Sequence, residues 1–171
     1  MCQKSPFPIE YSRLRKYIRL MEMPLLNLPQ HPLKFQSKGG KLLVQDVVQK
    51  KLRVLTPEEW VRQNFLNYLI HDNGYPASLL AVEKGLRINN LAKRCDIIAY
   101  NKEGKPVVLI ECKASNVALN QQVFDQIARY NLKLEVPYLV VTNGIHHIYC
   151  SMDLENKKYV FIKDLPKFNL F

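Results

Sequence analysis

The sequence predicts an α/β fold in which a central mixed β-sheet is flanked by helices. Two segments space their apolar residues as helices do, and short apolar runs with turn residues between them indicate strands. The elements follow the order helix, three strands, helix, strand and a final hairpin. Three consecutive strands favour an antiparallel meander, whereas a helix between two strands favours a crossover to a parallel neighbour. The sheet is therefore predicted to be mixed.

The chain begins with a segment unlike the rest. Residues 1–30 hold four prolines and a basic patch, and we expect a loosely ordered N-terminal extension there, with a single domain over residues 31–171. Strands are expected over 41–48 and 51–55. The first helix is predicted to start at Thr56, with Pro57 in its first turn and Glu59 closing a capping box. It is predicted to end near Asn73 and Gly74.

The remaining elements are predicted from periodicity and turn residues. Val123, Ile127, Tyr130 and Leu134 form an apolar stripe at helical spacing. We predict a helix over 121–134 and strands over 79–88, 95–100, 107–114, 138–142, 146–152 and 158–163.

Composition limits the classes of partner and compartment. The 171 residues carry a formal net charge of +10, which favours nucleic acid first and a membrane surface second as a partner. The four cysteines form no C-x-x-C pair, and three lie in apolar runs, as in a reduced cytoplasmic protein. No apolar run reaches the roughly 18 residues of a membrane span, and we expect neither a membrane anchor nor a signal peptide.

A charged tripeptide ends one of the predicted strands. Glu111 and Lys113 share one strand face, while Cys112 points to the other. The turn-rich residues 101–105 predict a hairpin to the preceding strand, which would bring Asp96 beside Glu111. Two carboxylates and a lysine would then meet at one point of the sheet. The simpler alternative is a solvated ion pair between Glu111 and Lys113.

Such a set of groups fits a divalent metal. Mg²⁺ (or Mn²⁺) prefers oxygen ligands, and Asp96, Glu111 and the backbone carbonyl of Cys112 can supply three. A metal there would acidify a bound water and neutralise charge on a phosphate. Lys113 would orient the water or stabilise the transition state. The set therefore predicts phosphodiester hydrolysis, with Asp96, Glu111 and Lys113 as catalytic residues.

The same residues resemble a known family. Asp96, Glu111-Cys112-Lys113 and the later Gln126 and Tyr130 are similar to the motif of the PD-(D/E)xK nucleases, and more narrowly to the nuclease domain at the N terminus of type I restriction enzyme R subunits. The resemblance covers about residues 40–165 and extends to short bacterial proteins that carry this domain alone. It implies a restriction-endonuclease-like fold and Mg²⁺-dependent cleavage of DNA in restriction or another form of genome defence.

The resemblance also implies roles for individual residues. Asp96 and Glu111 match the metal-binding carboxylates, and Lys113 matches the catalytic lysine. Gln126 and Tyr130 match an element that supports the site or touches DNA, although Tyr130 also lies on the apolar stripe. Further supporting or DNA-contacting candidates, each with a surface or local structural role as its alternative, are Glu59, Glu83, Arg62, Lys93, Arg94, Arg129 and Lys133.

Two departures from the family pattern leave alternatives open. Cys95 stands where a proline often precedes the first aspartate, and the chain has no G-x-x-x-x-G-K-[ST] loop, so we do not expect a complete R subunit. The competing function is a non-catalytic DNA-binding or interaction module that keeps the nuclease fold. RNA as substrate and a requirement for partner subunits also stay open, as do substrate form, sequence specificity and oligomeric state.

Overall fold

A computed structural model describes residues 23–88, 91–153, 155–156 and 158–171. The described residues form two β-sheets and two α-helices, together with two short 3₁₀ turns at Ala77–Leu79 and Phe168–Leu170. Among the described residues, no helix is long and apolar enough to cross a membrane.

The smaller sheet precedes the first helix. It is antiparallel, and its strands, in spatial order, are β1 (Phe35–Lys38), β2 (Lys41–Gln45) and β3 (Leu52–Val54). β1 was not predicted, and the predicted strand over 41–48 is too long. Its last residues turn instead, because Asp46 Oδ1 accepts hydrogen bonds from the backbone amides of Val48 at 2.9 Å and Gln49 at 2.7 Å.

Helix α1 (Pro57–His71) starts as predicted. Thr56 is its N-cap, and the threonine hydroxyl accepts a hydrogen bond from the Glu59 amide at 3.1 Å. One face of the helix is apolar and fully buried at Val61, Phe65, Leu66 and Leu69. That face packs on the larger sheet, so α1 is held at a fixed position above it.

The larger sheet has six strands in the spatial order in which they occur along the chain. All neighbours are antiparallel except the third and fourth, which run parallel after the crossover through helix α2 (Gln121–Leu134). The predicted α/β class with a central mixed sheet is therefore confirmed. The strands are β4 (Leu80–Ile88), β5 (Leu91–Tyr100), β6 (Pro106–Cys112), β7 (Tyr138–Thr142), β8 (His147–Asp153) and β9 (Lys158–Ile162).

Each face of this sheet buries a separate apolar cluster. On the α1 face lie Ile97, Ile110 and Cys112, whereas Ile98 and Leu109 lie on the α2 face with Phe124 and Ile127. This alternation agrees with the strand faces predicted around Cys112, which lies in the core on the same face as Ile110. By the same alternation, Glu111 projects from the opposite face of β6.

The predicted boundary at residue 30 falls within packed chain. Met23 and Leu26 are both buried, and the Asn27 amide donates to the Gly144 carbonyl at 2.7 Å. Gly144 has a positive φ of 81°, and a Cβ there would come within 2.8 Å of the Leu26 side chain. Residues 23–30 are thus part of the folded body, and residues 1–22 lie outside the described chain.

The contribution of the Thr56 N-cap to stability can be tested by substitution. Thr56→Ala removes the side-chain acceptor for the Glu59 amide, and we expect it to lower the free energy of unfolding by about 1 kcal/mol. Thr56→Ser keeps the oxygen and should change it by less than about 0.5 kcal/mol. Urea unfolding followed by circular dichroism measures both, and equal losses in the two variants would contradict the capping role.

Candidate active site

The β5–β6 hairpin brings Asp96 and Glu111 together, as predicted. The last pair of the β5–β6 ladder is Ile97 with Ile110, so the next positions on the two strands are Asp96 and Glu111. At that point the Asp96 Oδ2 atom accepts a hydrogen bond from the backbone amide of Cys112 at 2.8 Å. The hairpin therefore continues through a side chain instead of through the backbone ladder.

Lys113 completes the predicted set. Its Nζ lies 2.9 Å from Glu111 Oε1, and its amide donates to the Thr142 carbonyl at 2.8 Å, which anchors it to β7. Burial alone would lower the pKa of Lys113. The hydrogen bond to Glu111 and the negative charges of Glu111 and Asp96 outweigh burial, so this pKa is raised above its ordinary value. Lys113 is a cation at neutral pH.

The surroundings of Asp96 are unfavourable for the ionised form of its carboxylate. Burial and the negative charge of Glu111 raise its pKa to about 6, although the hydrogen bond from Cys112 and the positive charge of Arg62 act in the opposite direction. The Oδ1 atom of Asp96 lies 3.8 Å from Arg62 Nη2, beyond hydrogen-bonding distance. A cation placed at Oδ1 would relieve the repulsion between the two carboxylates.

An irregular backbone lies across from Asp96 on β4. The β4–β5 ladder pairs Val82 with Ile97 and Lys84 with Cys95, and it skips the intervening pair of Glu83 and Asp96. Glu83 has a φ of 51°, in the left-handed region that residues with a side chain adopt at a cost. The sequence carries no glycine or asparagine at this position to signal such a bend.

Glu83 is the centre of an ion-pair network. Its carboxylate pairs with Arg53, Arg62 and Arg94, with Arg62 Nη1 at 2.9 Å. Burial opposes its ionisation, but hydrogen bonds from the three arginines lower its pKa to about 2. Among the described contacts, Glu83 and Asp96 are linked by Arg62, which is an ion-pair partner of both carboxylates. The simpler expectation of an exposed strand charge at Glu83 is wrong, because four-fifths of this side chain is covered.

Helix α1 brings two further charges into the network. Glu59 is buried, accepts a hydrogen bond from Gln63 Nε2 at 2.7 Å and lies 3.3 Å from Arg62 Nη1. The Glu59 amide donates a hydrogen bond to the Thr56 hydroxyl, as the capping box predicts, but the Glu59 carboxylate points toward Arg62. Arg62 is only 4% exposed and also lies 3.4 Å from Glu58 Oε1, so the expected phosphate contact by Arg62 is wrong.

Sequence reasoning missed the part played by two arginines. Arg62 follows Glu58 and Glu59 by four and three residues, a helical spacing that could have revealed the pairing. Arg53 binds Asp46 at 2.8 Å as well as Glu83, which ties the small sheet to the large one. No local pattern in the sequence connects these three residues, because they are up to 37 positions apart.

The charges of the site do not balance. Among the side chains that the structure describes, the cations of the network are Arg53, Arg62, Arg94 and Lys113, and they face six carboxylates, which leaves an excess of two negative charges. A divalent cation beside Asp96 and Glu111 would balance that excess. The carboxylates are Asp46, Glu58, Glu59, Glu83, Asp96 and Glu111.

The ligand set suits a cation that keeps water ligands. Within the described residues, no three Asp, Glu, His or Cys side chains converge into a metal cage. Asp96 and Glu111 supply two carboxylates, and Mg²⁺ is bound in proteins by one or two carboxylates while it retains several waters. These residues therefore fit Mg²⁺ or Mn²⁺ better than an ion that requires a cage of side chains.

The other candidates are Arg94, an exposed member of the ion-pair network, and residues whose side chains the structure does not describe. Arg94 is 61% exposed and pairs with Glu83, so its predicted DNA contact stays a prediction. The remaining predicted contacts concern side chains that the structure does not describe, and these also stay predictions. They are Lys93, Gln126, Arg129, Tyr130 and Lys133.

Comparison with known proteins points to one family. The family model described as type I restriction enzyme R protein N terminus (HSDR_N) matches residues 57–166. This range includes Asp96, Glu111 and Lys113. No curated protein matches the chain.

A solved structure is similar in part. It is a fragment of a protein assigned as the HsdR subunit of a type I restriction enzyme from Vibrio vulnificus YJ016, with a TM-score of 0.49 and 16% sequence identity. The similarity covers 66% of this chain and 24% of that one.

The Glu83 network predicts an acid-sensitive contribution to stability. Glu83→Gln removes the charge that three arginines share, and at neutral pH we expect the free energy of unfolding to fall by about 2 kcal/mol. Because the pKa of Glu83 is about 2 in the folded protein and ordinarily 4.5, its stabilisation is complete above about pH 4.5. It is lost as the pH falls toward 2, so the difference between variant and wild type should narrow there.

Urea unfolding at pH 7, 4 and 3 checks this dependence. Glu103→Gln, at an exposed turn position, is the matched control and should change stability by less than about 0.5 kcal/mol at each pH. A loss in Glu83→Gln that stays constant down to pH 3 would show that the arginines do not hold this carboxylate in its charged form.

Proposed function

This chain belongs to the family of type I restriction enzyme R protein N termini, and from that membership and its charged site we propose that it is a metal-dependent endonuclease that hydrolyses DNA phosphodiester bonds in a restriction system. The observation that carries the proposal is the meeting of Asp96, Glu111 and Lys113 at the end of the β5–β6 hairpin. These are the residues that the family motif assigns to metal binding and catalysis.

The carboxylates would serve as the metal ligands. Asp96 is held by the Cys112 amide through Oδ2, which leaves Oδ1 for a ligand, and Glu111 uses Oε1 for Lys113. The backbone carbonyl of Cys112 is the third candidate ligand. Mg²⁺ or Mn²⁺ bound there would supply a water of lowered pKa and neutralise charge on the phosphate.

Lys113 would act through its charge. Because Glu111 and Asp96 keep it protonated, it can hold a phosphate oxygen or orient the attacking water by donating hydrogen bonds. A donor fixed by both β6 and β7 is already in place when charge develops on the phosphate, and such preorganisation is a large part of electrostatic catalysis.

DNA is the substrate that the family membership and the charge favour. The net charge of +10 suits a polyanion, and Arg94 places an exposed cation at the rim of the site. The chain spans about a quarter of the similar solved chain. The proposal therefore concerns phosphodiester cleavage alone, with partner subunits as a possible requirement and with RNA as the second substrate to be tested.

A cleavage assay tests the function. Wild-type protein should cut at least one member of a panel of duplex, single-stranded, branched and modified DNA with Mg²⁺ or Mn²⁺, and chelation should abolish cutting. Asp96→Asn and Lys113→Met should each lower the rate at least a hundredfold, since each removes a group that acts on the metal or the phosphate. Lys102→Met, at an exposed turn position, is the control for lost positive charge and should stay within about threefold of wild type.

Equal cleavage by the wild type and both site variants would exclude this site as the source of activity. Cleavage of RNA alone would retain the site and change the substrate. The alternative, a non-catalytic DNA-binding module, predicts instead that DNA binding neither requires metal nor changes in Asp96→Asn. Metal titration by calorimetry, with DNA binding measured in parallel, separates the module from the enzyme.

A further inference from the structure

Arg62 occupies an unusual place for an arginine. It is only 4% exposed, although the side chain of an arginine normally keeps its charge in water. Four carboxylates surround its guanidinium group: Glu83 at 2.9 Å, Glu59 at 3.3 Å, Glu58 at 3.4 Å and Asp96 at 3.8 Å. No other described arginine or lysine lies within ion-pair distance of Asp96.

The four contacts are not equal. The shortest joins Arg62 Nη1 to Glu83, and the longest joins Nη2 to Asp96 Oδ1. Glu83, whose backbone is left-handed, also pairs with Arg53 and Arg94, which hold its carboxylate beside Arg62. Arg62 is therefore fixed by residues outside the proposed ligand set, and it presents its charge to Asp96 without occupying a hydrogen bond.

We propose that Arg62 is a positioning residue that serves as the counter-cation of Asp96 in the metal-free site and sets how tightly the site binds a divalent metal. This inference rests on the proposed function, because it takes Asp96 and Glu111 as the metal ligands. Arg62 stabilises the carboxylate cluster when no metal is bound. The same charge repels the metal, so the two cations oppose each other at Asp96.

The sign of the effect follows from electrostatics. Charges that lie a few ångströms apart and are shielded from water interact strongly, and the metal carries two charges. Without the Arg62 charge, the cluster would have an excess of three negative charges instead of two. A neutral residue at this position should therefore strengthen metal binding while it weakens the metal-free fold.

Arg53 offers a matched control. It pairs with the same Glu83 carboxylate and carries the same charge, but its second partner is Asp46, and it does not lie within ion-pair distance of Asp96. Replacing Arg53 removes the same net charge and one partner of Glu83. Any effect that is specific to Arg62 must therefore come from its nearness to the proposed metal ligands.

The experiment is Mn²⁺ binding to the full chain, measured by isothermal titration calorimetry without DNA. Arg62→Gln should lower the Kd for Mn²⁺ at least tenfold relative to wild type, whereas Arg53→Gln should change it by less than about threefold. Arg62→Lys keeps the charge and should also stay within about threefold. Asp96→Asn should abolish binding in either background.

Some results would overturn the inference. Weaker or unchanged Mn²⁺ binding in Arg62→Gln would show that the arginine does not oppose the metal, and an equal gain in Arg53→Gln would reduce the effect to net charge. If Arg62→Gln unfolds without metal, Mn²⁺ titration followed by circular dichroism replaces calorimetry. Refolding with a midpoint below the wild-type Kd then supports the proposal, and a chain that stays unfolded at saturating Mn²⁺ contradicts it.

Failure of the proposed function can be distinguished from failure of the proposed role of Arg62. A wild-type chain that binds no Mn²⁺, or that binds it equally well in Asp96→Asn, removes the metal site on which the proposed function depends. Binding that requires Asp96 but is not strengthened by Arg62→Gln leaves the proposed function standing and overturns only the role of Arg62.

Discussion

The hydrogen bond from the Cys112 amide to the Asp96 carboxylate is the interaction on which the site depends. It takes over where the ladder of β5 and β6 ends, so a side chain performs the task that a backbone carbonyl performs elsewhere. This bond places Asp96 next to Glu111 and removes it from most of the solvent. Burial of two neighbouring carboxylates is unfavourable, and the charges around them can be understood as a response to that cost.

The charges that surround the two carboxylates come from three separate parts of the fold. Helix α1 contributes Glu59 and Arg62, the bend of β4 contributes Glu83, and the small sheet contributes Arg53. Each of these charges is shared among several partners, which is how proteins keep buried ions compensated. As a consequence, a chain of ion pairs through Arg53, Glu83 and Arg62 connects the small sheet to the proposed catalytic residue Asp96.

The features that could be predicted from the sequence were those defined by residues close together in the chain. Helix α2 and strand β7 have the predicted bounds, since an apolar stripe and a short apolar run define them within a few residues. The meeting of Asp96 and Glu111 was predicted for a similar reason, because one short turn fixes the register of one hairpin. Strand β1 and the bend at Glu83 were not predicted, and neither was the burial of Arg62. The partner of β1 lies only 3 to 9 positions away, across a hairpin turn at Gly39 and Gly40 whose local signal was overlooked. The ion pairs of Arg62 with Glu83 and Asp96, and of Glu83 with Arg53, by contrast, join residues 21 to 34 positions apart.

The protonation states of the site restrict the chemistry that it can perform. Although burial opposes them, the hydrogen bond to Glu111 and the nearby negative charges raise the pKa of Lys113, so in the metal-free site this residue is a proton donor in hydrogen bonds and is not set up as a general base. Asp96 has a pKa of about 6 when no metal is present, and a bound cation would favour its charged form. The chain's own groups would thus hold and orient reactants, and the activation of water would come from the metal. For this reason metal affinity is the property that the surrounding charges are best placed to control. Among the described cations, Arg62 is the one within ion-pair distance of Asp96, and it is the residue through which they would control it.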